Sequence, residues 1–201
     1  MTDKPSAPAT ERNREAILEI LVDEFSDRTA VLEIGSGTGQ HAVFFAAKLA
    51  NLTWQTSDRK QNHPGIKAWV AGSKLANVRA PLELDVEAPT ALGNSFDAVF
   101  SANTSHIMSM DAVKCMFALV GNLLPIDGKF CLYGPFNRNG DFTSESNRQF
   151  DASLRSQDAS MGIRNLEDLD ELATRAGMQR SRLYAMPANN FSVVWRRVDG
   201  I

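Results

Sequence analysis

The sequence is poor in cysteine and contains no long hydrophobic run. Its 201 residues include two cysteines, Cys115 and Cys131, which are too few and too far apart for a disulfide framework. No further cysteine, histidine or carboxylate lies at the short spacing that a metal site requires, so we predict no metal. A membrane helix needs about 18 consecutive apolar residues, and we find neither such a run nor a signal peptide. We therefore predict a cytoplasmic protein that does not enter a membrane.

An excess of either charge is also lacking. Lysine and arginine number 21 against 24 aspartate and glutamate residues, which leaves a formal net charge of −3. Nucleic-acid binding requires a basic face, so we expect a small-molecule substrate and no nucleic-acid partner. The length suits one domain. We predict a flexible polar tail at residues 1–10 and a single domain at residues 11–201, and the oligomeric state stays open.

Helical and strand patterns alternate along most of the chain. Short apolar runs predict strands, and apolar residues three and four apart predict helices. This alternation predicts an α/β fold with a mostly parallel sheet covered by helices on both faces, and the final hairpin adds one antiparallel strand. The predicted strands cover residues 30–34, 52–56, 82–86, 96–101, 129–134, 181–186 and 191–198. The predicted helices cover residues 11–25, 40–51, 64–76, 111–124 and 165–177, and a long polar stretch covers residues 137–162.

A glycine-rich loop follows the first predicted strand. Gly35, Gly37 and Gly39 permit a close approach of the backbone to a ligand, and the helix that follows points free N–H groups at it. The dinucleotide pattern Gly-x-Gly-x-x-Gly is incomplete, because Gln40 stands at its last position. The loop thus predicts a nucleotide or nucleoside site that differs from the usual NAD site.

Two carboxylates follow the next two predicted strands. Asp58 lies 23 residues after Gly35, where a carboxylate can accept both hydroxyls of a ribose. Asp85 could accept from an adenine amino group, with the Val86 N–H beside the ring edge. Because the carboxyl ends of parallel strands meet at one edge of a sheet, three strand ends present complementary groups to one nucleoside.

These residues resemble the class I S-adenosylmethionine (SAM) dependent methyltransferase superfamily. The matching segments are residues 31–39, Asp58, Asp85 and residues 96–99. A closer likeness, carried by residues 6–13, 133–137 and 146–155, is to an uncharacterised methyltransferase-like family. The resemblance implies a Rossmann-like fold with a seven-stranded sheet, SAM as cofactor, and Glu33 near the methionine amino group. The cofactor-binding residues predicted on these grounds are Arg12, Asn13, Glu33, Gly35, Ser36, Gly37, Gly39, His41, Asp58, Arg59, Asp85, Val86 and Asn103.

The predicted catalytic residues lie after the fourth strand and around the end of the fifth. His106 is well placed as a general base for methyl transfer, and Tyr133 and Asn137 could orient the substrate. For His106 the alternative is a structural role, in which the ring is hydrogen-bonded under the following helix. For Tyr133 and Asn137 the alternative is that they are ordinary turn residues after a strand. Three arginines of the polar stretch and its end could bind an anionic substrate, or form surface salt bridges instead. They are Arg148, Arg155 and Arg164.

Three functions stay open at this point. The first is a methyltransferase with a small-molecule acceptor, and the second is a SAM-binding scaffold or regulatory protein without turnover. The third, an NAD(P)-dependent oxidoreductase, is disfavoured by the glycine spacing. The sequence also lacks the Tyr-x-x-x-Lys pair of such enzymes, because Asn137 and Ala188 stand four residues after the two tyrosines.

Overall fold

The computed structural model describes residues 4–90, 92 and 95–200. Within them the fold class is the predicted one: α/β and Rossmann-like, with seven strands in a mostly parallel sheet. The chain divides into two compact units, residues 1–101 and 102–201. The single domain and the flexible tail at residues 1–10 stay predictions. No helix among the described residues is long and apolar enough to cross a membrane.

The first unit contains a parallel sheet with the strand order β3-β2-β1-β4. β1 lies between two neighbours, and its side chains from Val31 to Ile34 are buried. Its carboxyl end therefore leads the chain into the glycine loop beside the end of β2. The strands are β1 (Ala30–Ile34), β2 (Thr53–Asp58), β3 (Val78–Glu83) and β4 (Ala98–Ala102), and the helices are α1 (Pro8–Glu24), α2 (Gln40–Lys48) and α3 (His63–Ser73).

Several predicted boundaries in this unit were wrong, including the ends of α2 and α3, which lie at Lys48 and Ser73 rather than at residues 51 and 76. β3 ends at Glu83, whereas the sequence predicted a strand over residues 82–86. The strand includes Pro81, which is tolerated because β3 pairs on one side only in this unit. Leu84 and Val86, whose alternation suggested a strand, are buried in the turn that follows. α1 begins at Pro8 rather than at residue 11, with proline in its first turn.

The second unit has the strand order β5-β9-β8, in which β9 runs antiparallel to both neighbours. This is the predicted hairpin, and β9 is the predicted antiparallel strand. A separate parallel pair joins β6 to β7. The strands are β5 (Lys129–Gly134), β6 (Phe136–Asn137), β7 (Arg164–Asn165), β8 (Met178–Met186) and β9 (Asn190–Arg197), and the helices are α4 (Met110–Leu123), α5 (Glu145–Gln157) and α6 (Leu166–Arg175).

Helix α5 occupies half of the stretch that the sequence left as polar and unassigned. Ser144 caps it, because its hydroxyl accepts from the Asn147 N–H at 3.1 Å. Leu154 is buried, and most of the other side chains of the helix are exposed and polar. This composition hides the helical period from a search for apolar residues.

Candidate cofactor and acceptor sites

The loop between β1 and α2 is left-handed at all three of its glycines, and Gly37 and Gly39 serve different purposes. φ is +57° at Gly37, where a Cβ would meet nothing within 4 Å. φ is +88° at Gly39, where a Cβ would lie 3.0 Å from the Cα of Ile66 and 3.3 Å from the Cβ of Trp69. Gly37 therefore leaves open space beside the backbone, and Gly39 allows α3 to pack against the loop.

Glu33 is buried beneath this loop. Its Oε2 accepts from Ser36 Oγ at 2.8 Å and from Trp54 Nε1 at 3.2 Å. Burial raises the pKa of the Glu33 carboxyl to about 7, against the two hydrogen bonds, which lower it. A nearby positive charge would favour the ionised form. The site is therefore suited to a cationic group.

Asp58 joins the end of β2 to the glycine loop. Its Oδ2 accepts from the Gly37 N–H at 2.7 Å, and its Oδ1 accepts from the Arg59 N–H at 2.7 Å and from Asn62 Nδ2 at 2.8 Å. A carboxylate offers about four acceptor positions, so capacity for a further donor remains. Asp58 thus fixes the loop on one side of Gly37.

Asp85 and Val86 lie in the turn after β3 rather than in the strand. Asp85 Oδ1 accepts from the Glu87 N–H at 3.1 Å, and its Oδ2 lies 3.9 Å from Arg59 Nε. Val86 is buried. Six predicted cofactor residues are joined in these contacts: Glu33, Ser36, Gly37, Asp58, Arg59 and Asp85.

The cofactor residues predicted at the start of the chain lie on α1, and one of them contacts His41 of α2. The Nε2 of His41 lies 2.8 Å from Asn13 Oδ1, an oxygen that only accepts, so Nε2 carries the proton. The ring stacks on Phe45, and burial lowers the pKa of His41 to about 4, with Arg14 adding to the effect. Arg12 is exposed on α1. Asn13 and His41 therefore tie α1 to α2 just after the glycine loop.

In the second unit, His106 is buried with an unsatisfied nitrogen. Its Nδ1 has no hydrogen-bond partner among the described residues, and it lies 3.8 Å from the position of a Cβ on Gly134. The ring edge contacts Phe150, with 5.2 Å between the ring centroids. Burial and, to a smaller extent, the guanidinium of Arg164 lower the pKa of His106 to about 4. The imidazole is therefore neutral at pH 7.

Asn137 and Asn165 pair across β6 and β7, and in both the side-chain Oδ1 is buried without a donor from the described residues. Side chains at paired positions of parallel strands lie on the same face. Tyr133 is also buried, and its carbonyl accepts from the N–H of Asn103 at 2.8 Å. Buried acceptors of this kind are normally satisfied by water or by a ligand that donates.

The three arginines considered for an anionic substrate all have partners within the unit. Arg164 donates to the carbonyls of Ser105 at 3.0 Å, Ser160 at 2.9 Å and Met108, and so fixes the loop that carries His106. Arg155 pairs with Asp151 at 2.7 Å. Arg148 lies over the Phe142 ring. Arg148, whose Nε lies 3.4 Å from Glu145 Oε2, and Arg155 fit the alternative of salt bridges, whereas Arg164 is buried and bound to backbone carbonyls.

Sequence reasoning missed several residues that build these sites. Trp54 donates to Glu33, but a tryptophan inside a buried strand gives no sign of where its N–H points. Asn165 was predicted as the first residue of a helix, but it lies in β7 and pairs with Asn137. Asp151 accepts from the Ile163 N–H at 2.7 Å and lies in the helix that the polar composition concealed.

Known structures share this fold. An O-methyltransferase family protein from Burkholderia thailandensis matches with a TM-score of 0.81 and 12% identity, over 96% of this chain and 58% of that one. The S-adenosylmethionine-dependent methyltransferase SibL matches at 0.75 and 18%, over 94% and 56%. PigF, solved with S-adenosylhomocysteine (SAH), matches at 0.76 and 14%, over 90% and 61%.

The chain spans between 56% and 61% of the length of these three structures. At such identities the likeness confirms the predicted methyltransferase-type fold. The sequence also matches the model of a family described as a protein of unknown function (DUF938) over residues 4–197, which is nearly its whole length. The chain therefore belongs to the DUF938 family.

Proposed function

We propose that the protein is a SAM-dependent methyltransferase that acts on a small-molecule acceptor. The observation that carries the proposal is that two carboxylates, Glu33 and Asp58, lie beside the glycine loop, which is open at Gly37. SAM carries an ammonium, which suits the Glu33 carboxylate, and ribose hydroxyls, which suit Asp58. The pyrophosphate of NAD is an anion, and the Glu33 carboxylate beneath the glycine loop would oppose it. The proposal includes the predicted cytoplasmic location.

The residues of the first unit fit SAM in the predicted roles. Glu33 would hold the amino group, Asp58 the ribose hydroxyls, and Asp85 with the Val86 N–H the adenine. The bound cofactor supplies an electrophilic methyl group on sulfur. The backbone and side chains of the same unit that would complete the site are Arg12, Asn13, Gly35, Ser36, Gly37, Gly39, His41 and Arg59.

The second unit would bind the acceptor. We assign proton removal to His106, whose buried Nδ1 lacks a partner among the described residues, and orientation of the acceptor to Tyr133 and Asn137. The Asn137 oxygen would accept from a hydroxyl or an N–H group. An uncharged donor suits this environment, because the nearby guanidinium of Arg164 opposes a cationic acceptor.

A second candidate function is SAM binding without turnover. One observation favours it: burial holds the pKa of His106 at about 4, which makes the imidazole a weak base. Incubation with methyl-labelled SAM and a metabolite extract distinguishes the two candidates. Label in an acceptor supports the enzyme, and a protein that binds SAM but transfers no label under any condition supports the scaffold.

Replacement of His106 by alanine is expected to lower methyl transfer by about 100-fold, because general-base catalysis contributes about that much or more. SAH affinity should stay unchanged. Ile107→Ala is the matched control, since Ile107 is a 51% exposed neighbour in the same loop. Transfer rates and SAH titrations measure both variants. Equal transfer by His106→Ala and the control would remove His106 from the mechanism.

Gly37 and Gly39, two of the three left-handed glycines of this loop, provide a matched pair of tests. Gly39→Ala puts a methyl against the Ile66 backbone and should lower the free energy of unfolding by about 2–3 kcal/mol. Gly37→Ala meets no atom, so only its conformational strain of about 1–2 kcal/mol is expected, together with a loss of SAH affinity. Urea denaturation and calorimetry separate these effects. Undiminished affinity in Gly37→Ala would contradict the placement of the cofactor.

A further inference from the structure

The segment before α1 lies against α3 of the same unit. We call residues 4–7 the N-terminal strap. Trp69 Nε1 donates to the carbonyl of Pro5 at 2.7 Å, and the Lys4 ammonium lies 4.8 Å from the centroid of the Trp69 ring. Residues 4–6 are exposed, so few contacts hold the strap. Segments of this kind open at a low cost in free energy.

The strap also reaches the glycine loop through Gln40. The N–H of Ala7 donates to Gln40 Oε1 at 2.6 Å, and the hydroxyl of Thr38 donates to the same oxygen at 3.0 Å. Gln40 is 6% exposed and is the first residue of α2. One buried amide oxygen therefore binds both the strap and the loop. Gln40, which replaces the last glycine of the dinucleotide pattern, therefore connects the strap to the loop.

Helix α3 joins the strap and the loop a second time. The indole N–H of Trp69 binds Pro5, and on the other side a Cβ added to Gly39 would lie 3.3 Å from the Cβ of Trp69. A Cβ on Gly65 would lie 2.7 Å from Pro5 Cγ and 3.8 Å from the Thr38 carbonyl oxygen. Strap, α3 and loop thus form one continuous set of contacts, in which a glycine is needed where the proline ring rests.

We propose that the strap is part of the cofactor site: docked on α3, it holds the glycine loop in the conformation that binds SAM, and bound cofactor in turn holds the strap in place. The inference rests on the proposed function. Because coupling between two binding events is reciprocal, the strap and the cofactor stabilise one another by the same factor. Pro5, Ala7, Gln40 and Trp69 are positioning residues in this arrangement.

Two alanine substitutions in α3 test the proposal. Gly65→Ala pushes against the rigid ring of Pro5, whereas Gly72→Ala meets the end of the flexible Lys4 side chain, which can swing away. Both changes act on helix propensity in the same direction. SAH titration and hydrogen exchange of the Ala7 amide are measured for wild type, both variants, and a variant that lacks residues 2–6.

We expect Gly65→Ala and the deletion to weaken SAH binding by about 5- to 50-fold, and Gly72→Ala to bind as the wild type does. SAH should slow exchange of the Ala7 amide in the wild type by a similar factor, an effect that a purely structural strap would not show. Wild-type affinity in the deletion variant, or exchange unaffected by SAH, would overturn the inference. A wild-type protein that binds no SAH would overturn the proposed function itself.

Discussion

Asp58→Asn is expected to weaken SAH binding by about 30- to 100-fold, which corresponds to about 2–3 kcal/mol. The substitution keeps the size of the side chain but replaces one acceptor oxygen with a donor. That donor would face the N–H of Gly37 or the N–H of Arg59, both of which now donate to the carboxylate at 2.7 Å. The glycine loop would lose a hydrogen bond that holds it to β2, and the group proposed to bind the ribose would no longer be charged. Calorimetry with SAH measures the change.

Asp97→Asn is the matched control for this prediction. Asp97 precedes β4 and accepts from the N–H groups of Thr29 at 2.8 Å and Ala30 at 2.9 Å, at the start of β1. Both aspartates therefore hold backbone N–H groups next to β1, but at opposite ends of the strand. Asp97→Asn should lower stability and leave SAH affinity unchanged. If Asp58→Asn binds SAH within about threefold of wild type, the assignment of Asp58 to the cofactor is wrong.

Glu33→Gln is expected to weaken SAH binding by about 10- to 100-fold, because it removes a charge-assisted hydrogen bond to the amino group. Binding to the wild type should also depend on pH. Burial raises the pKa of Glu33 to about 7, so below that pH a proton must leave before the ammonium can bind. Affinity should then fall by about tenfold per pH unit, and binding should release a proton.

The same substitution should stabilise the protein without cofactor at alkaline pH. The pKa of Glu33 rises from 4.5 to about 7 on folding. The stability associated with its proton is therefore fully present below pH 4.5 and is lost as the pH rises through 7. Glu33→Gln has no such loss and should be more stable at pH 8 by up to about 3 kcal/mol.

Urea denaturation at pH 4.5 and pH 8 measures this difference. His41 and His106 also have shifted pKa values, but they are present in both proteins and cancel in the comparison. A variant that binds SAH less tightly and is nevertheless more stable would identify Glu33 as a residue kept for binding. Lower stability of Glu33→Gln at pH 8 would contradict the account of its burial.

The local pattern of apolar residues and glycines was enough to predict much of the fold. β1 and β5 have the predicted boundaries, because both are short apolar runs that end at glycine or in a glycine loop. β3 was misplaced, because pairing with β2 outweighed the penalty for a proline at an outer strand. α5 was missed because most of its side chains are polar and it buries few apolar residues, so a search for apolar residues passes over it.

The candidate sites could be predicted only where a motif determines the backbone. The glycines, Glu33 and Asp58 belong to a local pattern, and the structure joins them through hydrogen bonds. The partners of these residues depend on tertiary contacts. Trp54 reaches Glu33 from a neighbouring strand, and Ala7 reaches Gln40 across 33 positions of sequence. No spacing rule predicts such pairs.

Calorimetric titration of the wild-type protein with SAH, and separately with NAD⁺, tests the central claim most directly. The account predicts saturable binding of one SAH per chain that strengthens as the pH is raised to about 7, and no binding of NAD⁺ under the same conditions. Binding of NAD⁺ without binding of SAH would contradict it.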